Sequence, residues 1–322
     1  MKLNSLHLLL TALISGGLAA AFMPSVIRYF RKKQLGQTTR EEGPSWHQAK
    51  SGTPTMGGLS ILLAVAVASL GLSLFFQLPV LLNALLVFIF VVFALIGFID
   101  DYIKVVMKRN LGLTSLQKLL AQIAGAVLFY IGISQLIPVG AVQLPFGISL
   151  NIGLFYSLFV LFWLVGFSNA TNLTDGIDGL LATTGMLAYI TYTVIAVRQG
   201  QWDVALFTSA VTGALFGFFL FNKKPAKIFM GDVGSLALGA GLAGTSIVLN
   251  QEWTLLLIGL IFVFETASVM LQVGSFKLRG KRIFKMSPVH HHFEMSGWGE
   301  WKIVVVFSLV TLGASAAALI MI

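Results

Sequence analysis

Long apolar runs, broken at near-regular intervals by short clusters of charge and glycine, organise this chain. Ten runs approach the length an α-helix needs to cross a bilayer, about 20 residues. They lie near 5–27, 57–76, 79–99, 117–137, 152–169, 179–197, 204–221, 234–250, 253–274 and 302–322. The pattern predicts an all-α polytopic membrane protein, a single integral membrane domain over 1–322. An even number of spans puts both termini on one side. The first run has only Met1–Ser5 ahead of it, with one lysine and no small-residue cleavage site behind it, so it reads as a retained helix rather than a leader. Between the fourth and fifth runs, Val142–Ile152 alternates around Pro145 and Gly147, which predicts a small outward-facing β-hairpin. An irregular loop is the alternative there.

Composition sharpens this picture. Of 322 residues, 57% are hydrophobic and 10% charged, against about 25% charged in a soluble domain. With no cysteine, disulfides and thiolate metal sites are excluded. Of the 21 Lys and Arg, 19 fall in or beside the loops after spans one, three, five, seven and nine; Lys2 and Arg198 are the exceptions. The positive-inside rule assigns those loops to the cytoplasm and both termini to the outside. A net charge of +9 then suits anionic headgroups and anionic substrates. Nucleic acid is excluded as a partner, because no soluble basic module exists to hold it.

The acidic residues follow the same side. Ten of twelve, counting Glu265, and four of five histidines belong to it. A secondary transporter would carry ionisable groups near the bilayer midplane, but the helix centres are nearly clean apart from Glu265. A structural scaffold would leave the acidic motifs unexplained. Chemistry at the membrane surface, an enzyme rather than a carrier, is the expectation.

Five segments carry that chemistry. Asp100-Asp101 ends the third span, where the helix dipole disfavours acids and a carboxylate pair can hold Mg²⁺ or take a proton. Asn169-Ala-Thr-Asn172-Leu-Thr-Asp175-Gly-Ile-Asp178-Gly179 is dense in oxygen ligands. One helical turn would put Asp175 and Asp178 on a common face, and Asp178 as N-cap of span six would account for only one of these groups. Asn222-Lys223-Lys-Pro-Ala-Lys227 leads to Gly231-Asp232 at a helix start, a place that attracts anions; Asp232 either caps that helix or holds a metal on a diphosphate. Pro288-Val-His290-His291-His292-Phe-Glu294 cannot turn three neighbouring imidazoles to one metal, since they point about 100° apart on a helix. A loop presenting imidazoles to phosphate is expected instead of zinc. Lys50-Ser-Gly-Thr53-Pro-Thr55-Met-Gly-Gly58 opens span two, with Thr53-Pro54 as a capped helix start and Lys50 suited to phosphate. Glu265, costly in lipid, marks a break in span nine or pairs with a polar neighbour.

These motifs, in this order, resemble the phospho-N-acetylmuramoyl-pentapeptide transferases of bacterial cell-wall synthesis, within the polyprenyl-phosphate N-acetylhexosamine-1-phosphate transferase superfamily. The superfamily likeness rests on Asp100-Asp101, Asn169–Asp178 and Gly231-Asp232; the branch is marked by Lys50–Gly58 and Ser287–Glu294. The resemblance implies attack of undecaprenyl phosphate on UDP-N-acetylmuramoyl-pentapeptide, with Mg²⁺, giving lipid I and UMP, by a ten-helix homodimer in the bacterial cytoplasmic membrane. It implies catalytic roles for Asp100, Asp101, Asp232 and His291, with the metal on Asp232 and with Asp175 and Asp100 as further ligands. Substrate contacts are expected from Lys50, Thr53, Asn169, Asn172, Asp175, Asp178, Asn222, Lys223, His290 and His292. A sister enzyme moving N-acetylglucosamine phosphate to the same lipid is the alternative.

Overall fold

In hydrocarbon a backbone must satisfy its own hydrogen bonds, which leaves helices as the way for these runs to cross. The computed structural model describes residues 4–33, 52–107 and 112–322. Its helices are α1 (Ser5–Lys32), α2 (Gly58–Phe75), α3 (Leu81–Val105), α4 (Ser115–Ser134), α5 (Phe155–Thr174), α6 (Leu180–Arg198), α7 (Trp202–Asn222), α8 (Asp232–Val248), α9 (Thr254–Ile258), α10 (Leu260–Arg279), α11 (Val289–Glu294) and α12 (Glu300–Met321). Among the described residues, nine helices are long and apolar enough to span a bilayer, and α8, at 17 residues, is a shorter apolar one. The predicted hairpin is present: β1 (Ala141–Gln143) pairs antiparallel with β2 (Ser149–Asn151), Val142 opposite Leu150.

Two helix starts carry reciprocal caps. Asn4 and His7 form one at α1, and Thr114 and Gln117 another at α4, where Thr114 Oγ1 accepts from the Gln117 N–H at 3.2 Å. Each satisfies amides that a first turn leaves orphaned. The predicted cap at Thr53-Pro54 is not one of them. Helix α2 starts later, at Gly58, because the stretch from Pro54 to Gly57 is bonded through its backbone to Phe229. There the Phe229 N–H donates to Pro54 O (2.8 Å) and the Gly57 N–H to Phe229 O (2.9 Å).

Helix α8 is the hub: every residue from Val233 to Val248 is buried. A helix apolar all round belongs inside protein, and this one packs against α3 and α5. Small residues allow the close approach that drives helix association in lipid. A Cβ on Gly97 of α3 would overlap the Asp232 carbonyl, and one on Gly239 of α8 the Phe167 carbonyl of α5. Helices α1 and α7 meet in the same way, Gly213 against the backbone of Ala12 and Gly217 against that of Gly16.

The ninth run departs from expectation. It is two helices, and the break falls at Gly259 rather than at Glu265. Glu265 lies within continuous α10 and is fully buried. Helix α10 also outruns its apolar stretch to Arg279. Gln272 near its end holds the following loop, its Oε1 accepting from the Ile283 and Phe284 N–H groups at 2.9 Å each.

Successive spans run up and down, so the described parts of all five motif segments share one end of the bundle. At the other end lie the hairpin, the start of α1 and the end of α12, and there Tyr156 Oη donates to Glu252 (2.6 Å), Gln199 Nε2 to Leu249 O (3.0 Å) and Arg198 Nη1 to Leu319 O (2.9 Å).

Because α1 and α7 approach this closely, Gly213→Leu should destabilise the fold by about 3 kcal/mol through overpacking. Gly71→Leu is the control, since nothing lies within 4 Å of a Cβ there. Thermal unfolding in detergent tests the pair, and equal midpoints would refute the contact.

Candidate active site

Three carboxylates meet where the end of α3 crosses the start of α8. Asp100 and Asp101 are buried on the last two turns of α3, and Asp232 is the first residue of α8. One oxygen from each lies within 4.8 Å of the others. Backbone geometry brings them there. Gly231, at φ +75°, turns the chain into α8, a conformation that glycine adopts without steric cost, and a Cβ at this position would overlap Asp101 Oδ2.

Each acid has its own partners. Asp101 Oδ2 accepts from the Val233 N–H at 3.2 Å, so an acid from α3 satisfies the first turn of α8, where the dipole favours negative charge. Asp232 itself does not cap α8. Its Oδ1 accepts from Asn172 Nδ2 at 2.8 Å, and its Oδ2 lies 2.6 Å from Lys118 Nζ and 3.4 Å from Lys104 Nζ. Asp100 Oδ1 accepts from the Leu113 N–H at 2.8 Å, while Oδ2 pairs with Lys104 and lies 4.0 Å from Lys118. Two lysines against three carboxylates leave the cluster one positive charge short of neutral.

The acids offer hard oxygen donors from two rigid helix ends, the ligand chemistry Mg²⁺ selects. The residues present fit a divalent cation, with Asp232, Asp100 and Asp101 as its donors.

Helix α5 supplies the next layer. Asn172 Nδ2 also donates to Ser235 Oγ at 2.8 Å, and Asn169 Nδ2 donates to Gln122 Oε1 at 2.9 Å. Asp175 ends the helix, and the turn after it separates Asp175 from Asp178, so the expected single helical face does not exist. Asp178 is not the N-cap of α6. Gly179 holds that position at φ +82°, and Asp178 Oδ2 accepts from the Ala226 N–H at 2.9 Å. Burial first, then the carboxylates of Asp232 and Asp178, push Asp175 up to about 7, against the pull of the Gly231 N–H.

The remaining predicted residues divide. Lys50 lies outside the described residues. Thr53 is half-buried, and its neighbour Thr55 is the one beside Gly231. Asn222 is buried with both ends of its amide on backbone: Oδ1 accepts from the Gly179 N–H and Nδ2 donates to Ile228 O, each at 3.0 Å. It clamps the α5–α6 turn to the loop before α8. Lys223 is exposed just past α7, and Lys224 pairs with Glu300 at 3.4 Å. The cations on the acids are therefore Lys104, one turn beyond Asp100 on α3, and Lys118, which sequence reasoning missed. Lys118 did leave a signal: it sits at the start of a helix, where the dipole opposes a cation.

The three histidines lie on a short helix, α11, rather than a loop, and they point apart as helical neighbours must. His290 is fully buried. His291 Nδ1 is 2.6 Å from Glu294 Oε2, and His292 Nδ1 accepts from the Lys285 N–H at 3.1 Å.

Residues 82–250 match glycosyl transferase family 4, and residues 50–62 match the phospho-N-acetylmuramoyl-pentapeptide-transferase signature 1. The chain is 56% identical to the phospho-N-acetylmuramoyl-pentapeptide-transferase of Enterococcus hirae over 308 residues, 95% of each chain. It is 55% identical to that of Enterococcus faecalis, again over 95% of each, and 53% identical to that of Latilactobacillus sakei over 97% of this chain and 98% of the other.

The cluster yields two expectations. Lys118 and Asp232 are each only 17% exposed, and removing one partner of such a pair costs about 3 kcal/mol. Lys118→Met should lower the thermal midpoint in EDTA, and Mg²⁺ should recover more of it than in the unsubstituted protein; an unchanged midpoint would count against the pairing. For Asp175, the folded value of about 7 lies above the ordinary carboxylate value of about 4. Its stabilising contribution is thus complete below the ordinary value and lost as pH rises through the folded one. In EDTA the midpoint should fall between about pH 4 and about pH 7, and Asp175→Asn should flatten that fall.

Proposed function

This chain belongs to the phospho-N-acetylmuramoyl-pentapeptide-transferase family, and on that premise we propose that the Asp100, Asp101 and Asp232 cluster is where its sugar phosphate changes carriers. The enzyme transfers phospho-N-acetylmuramoyl-pentapeptide from its UDP donor to undecaprenyl phosphate, giving lipid I and UMP. The observation that carries the site assignment is the meeting of three acids with two lysines at the end of the bundle that holds every motif segment.

Charge is the central difficulty of this reaction. Two unit negative charges at 4 Å repel by about 4 kcal/mol at an effective dielectric of 20. Phosphoryl transfer is catalysed chiefly by positioning and charge compensation. Lys104 and Lys118 stand where the two phosphates must approach, so their ammonium groups are the protein's own contribution. Bound at Asp232 with Asp100 and Asp101 beside it, Mg²⁺ would supply the remaining positive charge to the diphosphate. Asn172 orients Asp232, and Asp101, by holding the α8 amide, keeps Asp232 at the crossing.

The acceptor is already mostly a dianion at neutral pH, its second pKa being about 6. A base role for Asp100 therefore adds little, and direct attack by the lipid phosphate is favoured over a covalent aspartyl intermediate. Asp175 and Asp178 lie on the turn that would receive the uridine and ribose, with Asn169 behind it. His291, held by Glu294, and the exposed Lys223 serve the phosphates from the rim, along with Lys50 and Thr53. His292, accepting from the Lys285 N–H, and His290, facing Glu265, hold α11 against the preceding loop and α10.

The site faces the cytoplasm in this reading, supported by the 19 of 21 basic residues on that end and by the solubility of the nucleotide donor. One integral domain is supported by the packing of the long helices around α8, and a homodimer by the family resemblance. The signature match over 50–62 favours the peptide-bearing donor over the N-acetylglucosamine donor of the sister enzymes.

The decisive assay incubates purified protein with UDP-N-acetylmuramoyl-pentapeptide, undecaprenyl phosphate and Mg²⁺ and measures UMP. Asp232→Asn should slow release about a thousandfold, the scale for losing a main electrostatic stabiliser. Near-normal turnover of that variant at limiting Mg²⁺ would overturn the metal assignment. Introduced single cysteines, free of native background, test the orientation by side-selective labelling.

A further inference from the structure

Glu265 has no part in the chemistry above, yet it is a fully buried carboxylate inside a membrane-spanning helix. Such residues are costly there and are retained for a partner or a task. Its partner is His290, also fully buried. Glu265 Oε1 lies 3.1 Å from His290 Nδ1, and the His290 backbone N–H donates to Oε2 at 3.4 Å. One carboxylate thus engages both the ring and the backbone of the same residue, across the join between α10 and α11.

The other ring nitrogen points at the substrate segment. Neither His290 Nδ1, which faces Glu265 Oε1, nor Nε2 has a hydrogen-bond partner among the described residues. Nε2 lies against Gly176, where a Cβ would overlap it. Gly176 follows Asp175 in the turn that closes on Gly231 and Asp232. On the same helix the His290 and His291 rings touch at a steep tilt, with centroids 4.1 Å apart and planes inclined by 57°. A displacement of His290 would therefore reach both the Asp175–Gly176 turn and the His291 imidazole.

We propose that Glu265 is a positioning residue for the transfer reaction: through His290 it orients the ring nitrogen that faces Gly176 and sets the Asp175–Gly176 turn and His291 against the acid cluster. This rests on the assignment of that cluster as the reaction centre. The glutamate touches no substrate, so its removal should slow the chemical step and leave donor binding nearly intact.

Steady-state UMP release by the purified full-length protein tests this with Glu265→Gln, Glu265→Leu, His290→Ala and the Glu265→Leu/His290→Ala double variant, with thermal midpoints measured alongside. Glu265→Gln keeps the side-chain length and an acceptor oxygen, and kcat should fall about tenfold; Glu265→Leu removes both contacts, and kcat should fall about a hundredfold, the span seen for partners that orient a working histidine. KM for the nucleotide donor should stay within about twofold. Because Glu265 acts through His290, the double variant should be no slower than His290→Ala alone. Losses that multiply in the double variant would overturn the proposal. So would a loss confined to KM, or a lowered midpoint with kcat unchanged in the folded protein. An unsubstituted enzyme that releases no UMP would instead overturn the reaction-centre assignment on which the proposal rests.

Discussion

Three carboxylates gathered at the edge of a membrane-embedded helix bundle repel one another, and low polarisability around them makes that repulsion expensive. Everything at this end of the molecule answers to that constraint. Lys118 reaches in from α4, Lys104 from the turn of α3 beyond Asp100, and the α8 amide at Val233 takes up an oxygen of Asp101. The compensation is incomplete in formal charge, two lysines against three acids, which suits the divalent cation proposed for this site.

Close helix packing makes the cluster geometrically feasible. Asp232 can approach Asp100 and Asp101 only because α8 lies directly on α3 at Gly97. The loop ahead of α8 is held in place from two sides, by the backbone bonds of Pro54 and Gly57 to Phe229 and by the Asn222 amide between Gly179 and Ile228. Rigidity of this kind matters for a reaction that depends on charge placement, where an ångström of slack weakens every electrostatic term.

The histidine helix extends the same logic outward. His290 and His291 are each matched with a glutamate, Glu265 from α10 and Glu294 from α11. Imidazoles steered by carboxylates have defined orientations, and defined orientation is what a surface loop would lack. The short helix also explains why a run of three histidines is not a metal site: its members diverge toward α10, the rim and the 284–285 loop.

Much of this was legible in the chain alone. Apolar run length, a local property, located the spans, and the segregation of lysine, arginine and aspartate placed every motif at one end. Alternation around Pro145 and Gly147 foretold the hairpin. Motif order pointed to the family and to Asp100, Asp101 and Asp232. What tertiary structure alone decided is which group answers which. Lys118 rather than Lys223 meets Asp232, Asp101 serves the start of a helix more than a hundred residues away, and Asn222 clamps backbone. Asp178 bonds Ala226 instead of capping α6, and Glu265 pairs with His290 while the break in its span falls at Gly259. Hydropathy registers the solvent each residue meets, and that is written into neighbouring positions. The partner of a buried charge is chosen by helices packing side by side, and no local pattern along the chain encodes that choice.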